Sequence, residues 1–285
     1  MRIACCQFDV AFNDPQANAQ RALTTMRDLK AQGVQFVVFP EAYLTGYCVG
    51  TAEDAESIAI EVHADANHVV TQAHPALLAM RDASVELGLT TVVGYAGKDE
   101  LGRYNGVALI HPNGVMHRQL KTHLPILGFD RFVRPGDDLP VFDTEFGKVG
   151  IIVCFDLRPP EAARILAIKG AELIVLPTNW PNGAQIAAEH ISLVRAAENR
   201  VFLATCDRVG HENGFDFIGL SKIVSPVGNV RAAAGSGEEI IIADIDLAEA
   251  RIKKNVFVPG EYETTIFECR RPELYAPLVE ATERA

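Results

Sequence analysis

No run of apolar residues approaches the ~20 needed to span a bilayer. No Asn-x-Ser/Thr sequon occurs, and the six cysteines (5, 6, 48, 154, 206 and 269) form no CxxC pair and no regular spacing. A disulfide framework and a zinc ribbon are therefore not expected, and reduced thiols in a cytoplasmic protein are the economical reading. Basic residues are in the minority, 26 against 37 acidic, for a formal charge of −11. This argues against nucleic acid and against anionic membrane as main partners. The opening Met1–Asp9 is too short an apolar run for a signal peptide, and an acid already interrupts it. His63, His68 and His74, read as lying on or beside one helix, lack HxxxH geometry, so no metal is called for. Gly235-Ser236-Gly237 lacks the third glycine and the strand–helix context of a dinucleotide loop and reads as a hairpin turn. There is no P-loop, and no organic cofactor is expected.

What is present is a chain of 285 residues, 48% hydrophobic and 22% charged, enough for a sizeable core. Residues 2–8 read as a strand, and Asn13-Asp14-Pro15 as the cap of a helix that runs to about Gln32. Residues 34–39 form a second strand stopped by Pro40. A βαβ unit this early points to a layered α/β fold. Residues 48–66 read as an acidic surface excursion. A helix over Pro75–Leu87 ends at Gly88, and a strand over 89–95 follows. A hairpin then turns at Pro112-Asn113-Gly114. Strands and helices alternate to about 206, and short strands dominate from 219 to 245. The proline-punctuated, charged tail over 255–285 is expected to pack on a surface or on a partner subunit.

Three residues stand where apolar runs stop abruptly. Glu41 follows Val34–Phe39 and Pro40. Lys121 closes a hairpin strand and opens Thr122-His123-Leu124-Pro125. Cys154 ends Val149-Gly150-Ile151-Ile152-Val153 and precedes Phe155-Asp156-Leu157-Arg158-Pro159-Pro160-Glu161. Singly, each has an ordinary reading: a loop acid, a surface lysine, a small buried hydrophobe. Cys154 alternatively faces a helix N-terminus, which suits a reactive thiolate. Together they supply a thiol nucleophile, a carboxylate base and a cationic donor for an oxyanion. Loops at the carboxyl ends of strands are where α/β folds place such groups.

These three stretches resemble the signature blocks of the nitrilase superfamily of carbon–nitrogen hydrolases. The similarity continues through Gly170–Ile174, Pro177–Pro181, Arg195–Asn199 and Phe217–Ile223, in the family's order and over about residues 1–250. The resemblance implies a single-domain α-β-β-α sandwich over 1–254 that dimerises through one helix layer. It further implies Glu41 as general base, Cys154 as nucleophile and Lys121 as stabiliser of the tetrahedral intermediate, with the Phe155 backbone N–H completing the oxyanion hole. Many members carry a second glutamate a few residues after the lysine. Here Asp130 offers the carboxylate at that place, or else pairs with Arg131 or Arg134 at the surface. Tyr47, Phe155 and Trp180 are candidate pocket walls by similarity, or core residues. Cys154-Phe155-Asp156 looks more like the amidase, ω-amidase and carbamoylase branches than like true nitrilases, which usually have tryptophan and glutamate after the cysteine. The expectation is a cofactor-free thiol hydrolase that cleaves a small linear amide to carboxylate and ammonia. Nitrile or N-carbamoyl hydrolysis by the same triad, and a scaffold protein without turnover, are the alternatives.

Overall fold

In the computed structural model, which describes residues 1–280, the first strand shows how the layers arise. β1 (Arg2–Gln7) sends Ile3 and Cys5 into one apolar cluster and Ala4 and Cys6 into another. β2 (Phe36–Val38) does the same, Phe36 and Val38 on one side and Val37 on the other. A strand covered on both faces reads as an unbroken apolar run, because its period of two has no solvent side to mark.

Between these strands, α1 (Pro15–Ala31) starts at Asp14, whose side chain accepts from Ala17 N at 3.0 Å. It is followed, after β2, by α2 (Ala52–Ile58), β3 (Ile60–Ala64), β4 (Val70–Ala73), α3 (Pro75–Leu87), β5 (Thr90–Asp99), β6 (Gly102–Ile110) and β7 (Met116–Leu120). α1 and α3 cover the outer face with Ala22, Met26, Leu77 and Met80. The chain then crosses to a second sheet through β8 (Val141–Thr144), β9 (Gly147–Ile151), α4 (Pro160–Ile168), β10 (Leu173–Thr178), α5 (Ser192–Asn199) and β11 (Phe202–Asp207). A separate hairpin, β12 (Val209–Glu212) and β13 (Phe215–Ile218), precedes β14 (Lys222–Val224) and β15 (Val230–Ala233). Finally β16 (Glu239–Asp244) returns to pair antiparallel with β1.

The first sheet has the order β16-β1-β2-β5-β6-β7, with the β3–β4 hairpin beside the far end of β5; the second has the order β15-β14-β11-β10-β9-β8. Ala162, Ala163 and Leu166 of α4 and Ala196 of α5 close the outer face of the second sheet. The architecture is the four-layer α-β-β-α sandwich. No helix among the described residues is long and apolar enough to cross a membrane.

Four expectations change. Residues 48–66 are no excursion: they hold α2, capped by Thr51, and β3, elements too short to show a clear period. His63 lies on β3, His68 in the turn after it, and His74 caps α3 through a bond from Ala76 N, so no common helix holds them. Gly235-Ser236-Gly237 is not a hairpin turn but the crossover between sheets, since β15 and β16 belong to different ones. Gln7 Nε2 fastens this crossover by donating to the carbonyls of Gly235 and Gly237. The β12–β13 hairpin lies in a stretch for which no element was expected. In the tail, β17 (Asn255–Val258) and β18 (Tyr262–Thr264) pair, and Phe267 packs on the core beneath Arg164 and Lys253. Residues 281–285 of the tail lie outside the described residues.

Candidate active site

Glu41 leaves β2 through Phe39-Pro40 and is wholly buried. Its loop runs so close to β5 that a Cβ at Gly94 would stand 2.5 Å from Ala42 N and 2.7 Å from Glu41 Cα. Only glycine allows that approach, because both neighbours are backbone and cannot give way. Ala42 itself takes φ +48°, a left-handed conformation that costs an alanine roughly 1–2 kcal/mol.

Lys121 stands at the end of β7, held by its N–H on Asn105 O at 2.9 Å and its carbonyl under Gly136 N at 2.8 Å. Cys154 comes three residues past β9, also left-handed at φ +47°, and opens a single 3₁₀ turn, Cys154–Leu157. Asp156 in that turn accepts from Val153 N at 2.9 Å, Thr122 Oγ1 at 2.8 Å and His123 N at 2.7 Å. One buried carboxylate thereby ties the cysteine turn to the lysine loop. Arg195 of α5 holds the turn's other end through the carbonyls of Leu157 and Arg158.

The charged groups form one connected set. Lys121 Nζ lies 2.8 Å from Glu41 Oε1 and 2.5 Å from Asp130 Oδ2. Asn105 Nδ2 donates to Glu41 Oε1 at 2.7 Å and to Asp130 Oδ1 at 2.8 Å. The Tyr47 hydroxyl donates to Asp130 Oδ2 at 2.9 Å. Glu41 Oε2 is left buried with no partner. Burial pushes the Glu41 carboxyl above its ordinary range, and the ion pair with Lys121 only partly opposes this. Burial works against the Lys121 charge, but Asp130, Cys154 and Glu41 outweigh it and keep the ammonium well protonated. Burial, then the Glu41 charge beside it, pushes the Cys154 thiol far up, while Lys121, Thr178 and the Asn179 backbone pull the other way. Burial thus favours the thiol, and the helix N-terminus offered as the alternative reading does not meet the cysteine. α4 begins only at Pro160, beyond the 3₁₀ turn.

The structure therefore brings together Glu41, Lys121, Asp130 and Cys154. Asp130 is buried and bonds neither Arg131 nor Arg134; Arg134 pairs instead with Asp99. Tyr47 is 1% exposed and meets the charged set with its hydroxyl, its ring centroid lying 5.8 Å from Lys121 Nζ. Phe155 is 39% exposed at the rim. Trp180, 3% exposed, belongs to the large core cluster beside Cys154 and gives its backbone N–H to Asp207. Asn105 and Asp156 were not among the candidates. A polar residue inside the apolar strand Tyr104–Ile110 was the available signal for the first. An acid two residues after the cysteine was the signal for the second.

A sandwich of this topology, with a buried thiol, carboxylates and lysine at its strand ends, is the architecture of the nitrilase superfamily. The carbon–nitrogen hydrolase family model matches residues 2–254, and the chain belongs to that family. It is 35% identical to a nitrilase of Pyrococcus abyssi over 96% of this chain and 99% of that one. It is 32% identical to an omega-amidase of Xenopus laevis over 81% and 83% respectively. Among solved structures, the amidase of Nesterenkonia sp. AN1 superposes with a TM-score of 0.77 at 23% identity, covering 98% of this chain and 100% of that one. A variant of that amidase carries an acetamide moiety on its active-site cysteine.

Proposed function

We propose that this hydrolase cleaves the C–N bond of a small linear amide through a thioester on Cys154, releasing ammonia and a carboxylate. The observation that carries this reading is the division of labour on Glu41. Oε1 is pinned by Lys121 and Asn105, while Oε2 is buried without a hydrogen-bond partner, in a carboxylate whose charge acts on the Cys154 thiol. The omega-amidase among its relatives supports an amide substrate.

Glu41 takes the thiol proton as sulfur attacks the carbonyl carbon, and the oxyanion forms against Lys121 Nζ and the Phe155 backbone N–H. Collapse of the intermediate breaks the C–N bond, and Glu41 returns the proton to the leaving nitrogen. The same carboxylate then deprotonates a water that attacks the thioester. The second collapse yields the carboxylic acid and restores the thiol. Asp130 shares Lys121 with Glu41 and keeps the ammonium charged and oriented. A nitrile would use the same groups with one more water, which converts a thioimidate to the thioester and ammonia, and an N-carbamoyl group would also yield an amine, so product analysis over the three substrate classes separates them. Six free thiols suit the reducing cytoplasm.

The pH dependence follows from the two raised groups. The productive resting form has Glu41 ionised and Cys154 protonated. Lowering the pH protonates Glu41, and because its folded pKa is raised, activity is lost above the ordinary glutamate range. Raising the pH brings no loss from the thiol until strongly alkaline solution. We expect kcat/KM to rise through a displaced acid limb to a broad plateau. A decline centred near the ordinary thiol value of about 8.5 contradicts the assignment.

We also assign a second copy of this chain to the α4–α5 layer, where Ile165, Ile168 and Val194 stand exposed on adjacent helices. Light scattering on the purified chain is expected to give twice the 31.0 kDa chain mass, and Ile168→Asp is expected to reduce it to that of one chain. A monomer before mutation counts against this face.

A further inference from the structure

The β12–β13 hairpin bonds both the Trp180–Asn182 stretch and the Tyr47–Cys48 stretch. Ile218 N donates to Trp180 O at 3.0 Å, and Asn182 N donates to Asp216 O at 3.0 Å. At its other end, Asn213 Nδ2 donates to Cys48 O at 2.7 Å. Glu212, buried at the end of β12, divides its carboxylate between two tasks. Oε1 accepts from the backbone N–H of Tyr47 at 2.8 Å and of Cys48 at 2.6 Å. Oε2 accepts from Arg208 Nη1 at 2.8 Å. The Arg208 guanidinium is fully buried, lies 4.4 Å over the Phe217 ring and bonds Asp9 Oδ1 at 2.9 Å. Gly46, at φ +82°, lets this carboxylate in: a Cβ there would stand 2.9 Å from Glu212 Oε2 and 2.6 Å from the Phe12 ring.

We propose that Glu212 is a positioning residue of the catalytic centre, holding the backbone at Tyr47 so that the phenol bonds Asp130 and sets Lys121 against Cys154. The chain of contacts is continuous. Arg208 fixes Glu212, Glu212 fixes the Tyr47 backbone, and the Tyr47 hydroxyl shares Asp130 Oδ2 with Lys121 Nζ. The phenol matters because it takes part of the negative charge on that oxygen. Without it, Asp130 draws the ammonium more strongly toward itself and away from the thiol. The Cys154 thiolate then loses stabilisation, and oxyanion support weakens with it. A charge-assisted bond to buried backbone N–H groups suits this duty, since such bonds are short and directional.

The proposal rests on the thiol-hydrolase reading, so its test includes a readout that needs no amide substrate: the rate at which iodoacetamide alkylates Cys154 at fixed pH, read by peptide mass so that the exposed Cys269 is counted apart. Glu212→Asp keeps the charge opposite Arg208 but withdraws the oxygen from the Tyr47 and Cys48 amides. It is expected to lower kcat about tenfold more than it changes KM, and to slow the alkylation of Cys154. Glu212→Gln keeps the acceptor and loses the charge. It is expected to melt earlier but to retain kcat and alkylation rate within about twofold while folded. Tyr47→Phe is expected to reproduce the slowed alkylation, and Glu212→Asp is expected to add nothing in that background. Glu212→Asp with unchanged kcat and alkylation rate overturns the proposal, as does a Glu212→Gln variant that folds yet is equally impaired. Failure of the wild-type chain to hydrolyse any amide bears on the proposed function instead, and the alkylation rates still decide the role of Glu212.

Discussion

Glu41→Gln is expected to reduce turnover by at least about a thousandfold while the protein still folds. Positioned acid–base groups contribute roughly 10²–10⁴-fold each time a proton moves in a transition state. In the proposed cycle Glu41 handles the thiol proton, the leaving ammonia and the attacking water. Glutamine retains an oxygen to accept from Lys121 and Asn105, so the bonds to Glu41 Oε1 survive. Its amide nitrogen takes the place of the unpartnered Oε2 and has no lone pair for a proton. A second consequence has the opposite sign. The Glu41 charge raises the Cys154 pKa, so its removal makes the thiol easier to ionise. The variant is therefore expected to lose hydrolysis while its iodoacetamide alkylation midpoint moves down. Near-normal turnover, or an alkylation midpoint that moves up, contradicts the assigned base.

Lys121→Met is expected to remove both activity and much of the stability. The methionine fills the space of the lysine stem, so cavity formation contributes little. What is lost is the cation between two buried carboxylates, at 2.8 Å from Glu41 and 2.5 Å from Asp130. Removing one partner of a buried ion pair typically costs about 3–5 kcal/mol, because the other charge is left without compensation. The sign of the pH dependence follows. Without Lys121, the Glu41 and Asp130 carboxylates repel each other across Asn105, and Glu41 loses the cation that opposes the effect of its burial. The deficit relative to the unmutated protein is then greatest at neutral and alkaline pH and shrinks as acid protonates a carboxylate. Urea unfolding at pH 8 and at pH 5.5 measures this, with the larger difference expected at pH 8. A deficit equal at both values places the loss in packing and not in charge.

Most of the layering was legible in the sequence because it depends on local pattern. The caps at Asp14 and Gly88, the turn at Asn113-Gly114 and the unbroken apolar strands each follow from residue chemistry over a few positions. The breaks at Glu41, Lys121 and Cys154 were legible for the same reason, since a polar group at the end of a buried strand is conspicuous. What the sequence hid was burial decided by distant chain. Asp130 has arginines one and four residues away, yet its partners are Lys121, Asn105 and Tyr47. Tyr47 reads as an aromatic wall, but its hydroxyl is the part that touches the charged set. The cysteine reads as a helix-activated thiolate only while the 3₁₀ turn and the depth of the site are unseen. The β12–β13 hairpin carries Gly210 and Asn213-Gly214 in a polar setting that looks like loop. It bonds Trp180, Tyr47 and Cys48, none of them near it in sequence.

The central claim is that Cys154 is acylated by an amide and then released by water. Intact-protein mass after brief exposure to a panel of short amides, nitriles and N-carbamoyl amino acids, with ammonia measured in parallel, tests it most directly. An amide is expected to leave an acyl adduct whose mass equals the amide minus ammonia, absent in Cys154→Ala, with ammonia released catalytically by the unmutated chain. Ammonia release that persists in Cys154→Ala contradicts the account, as does an adduct on any other residue.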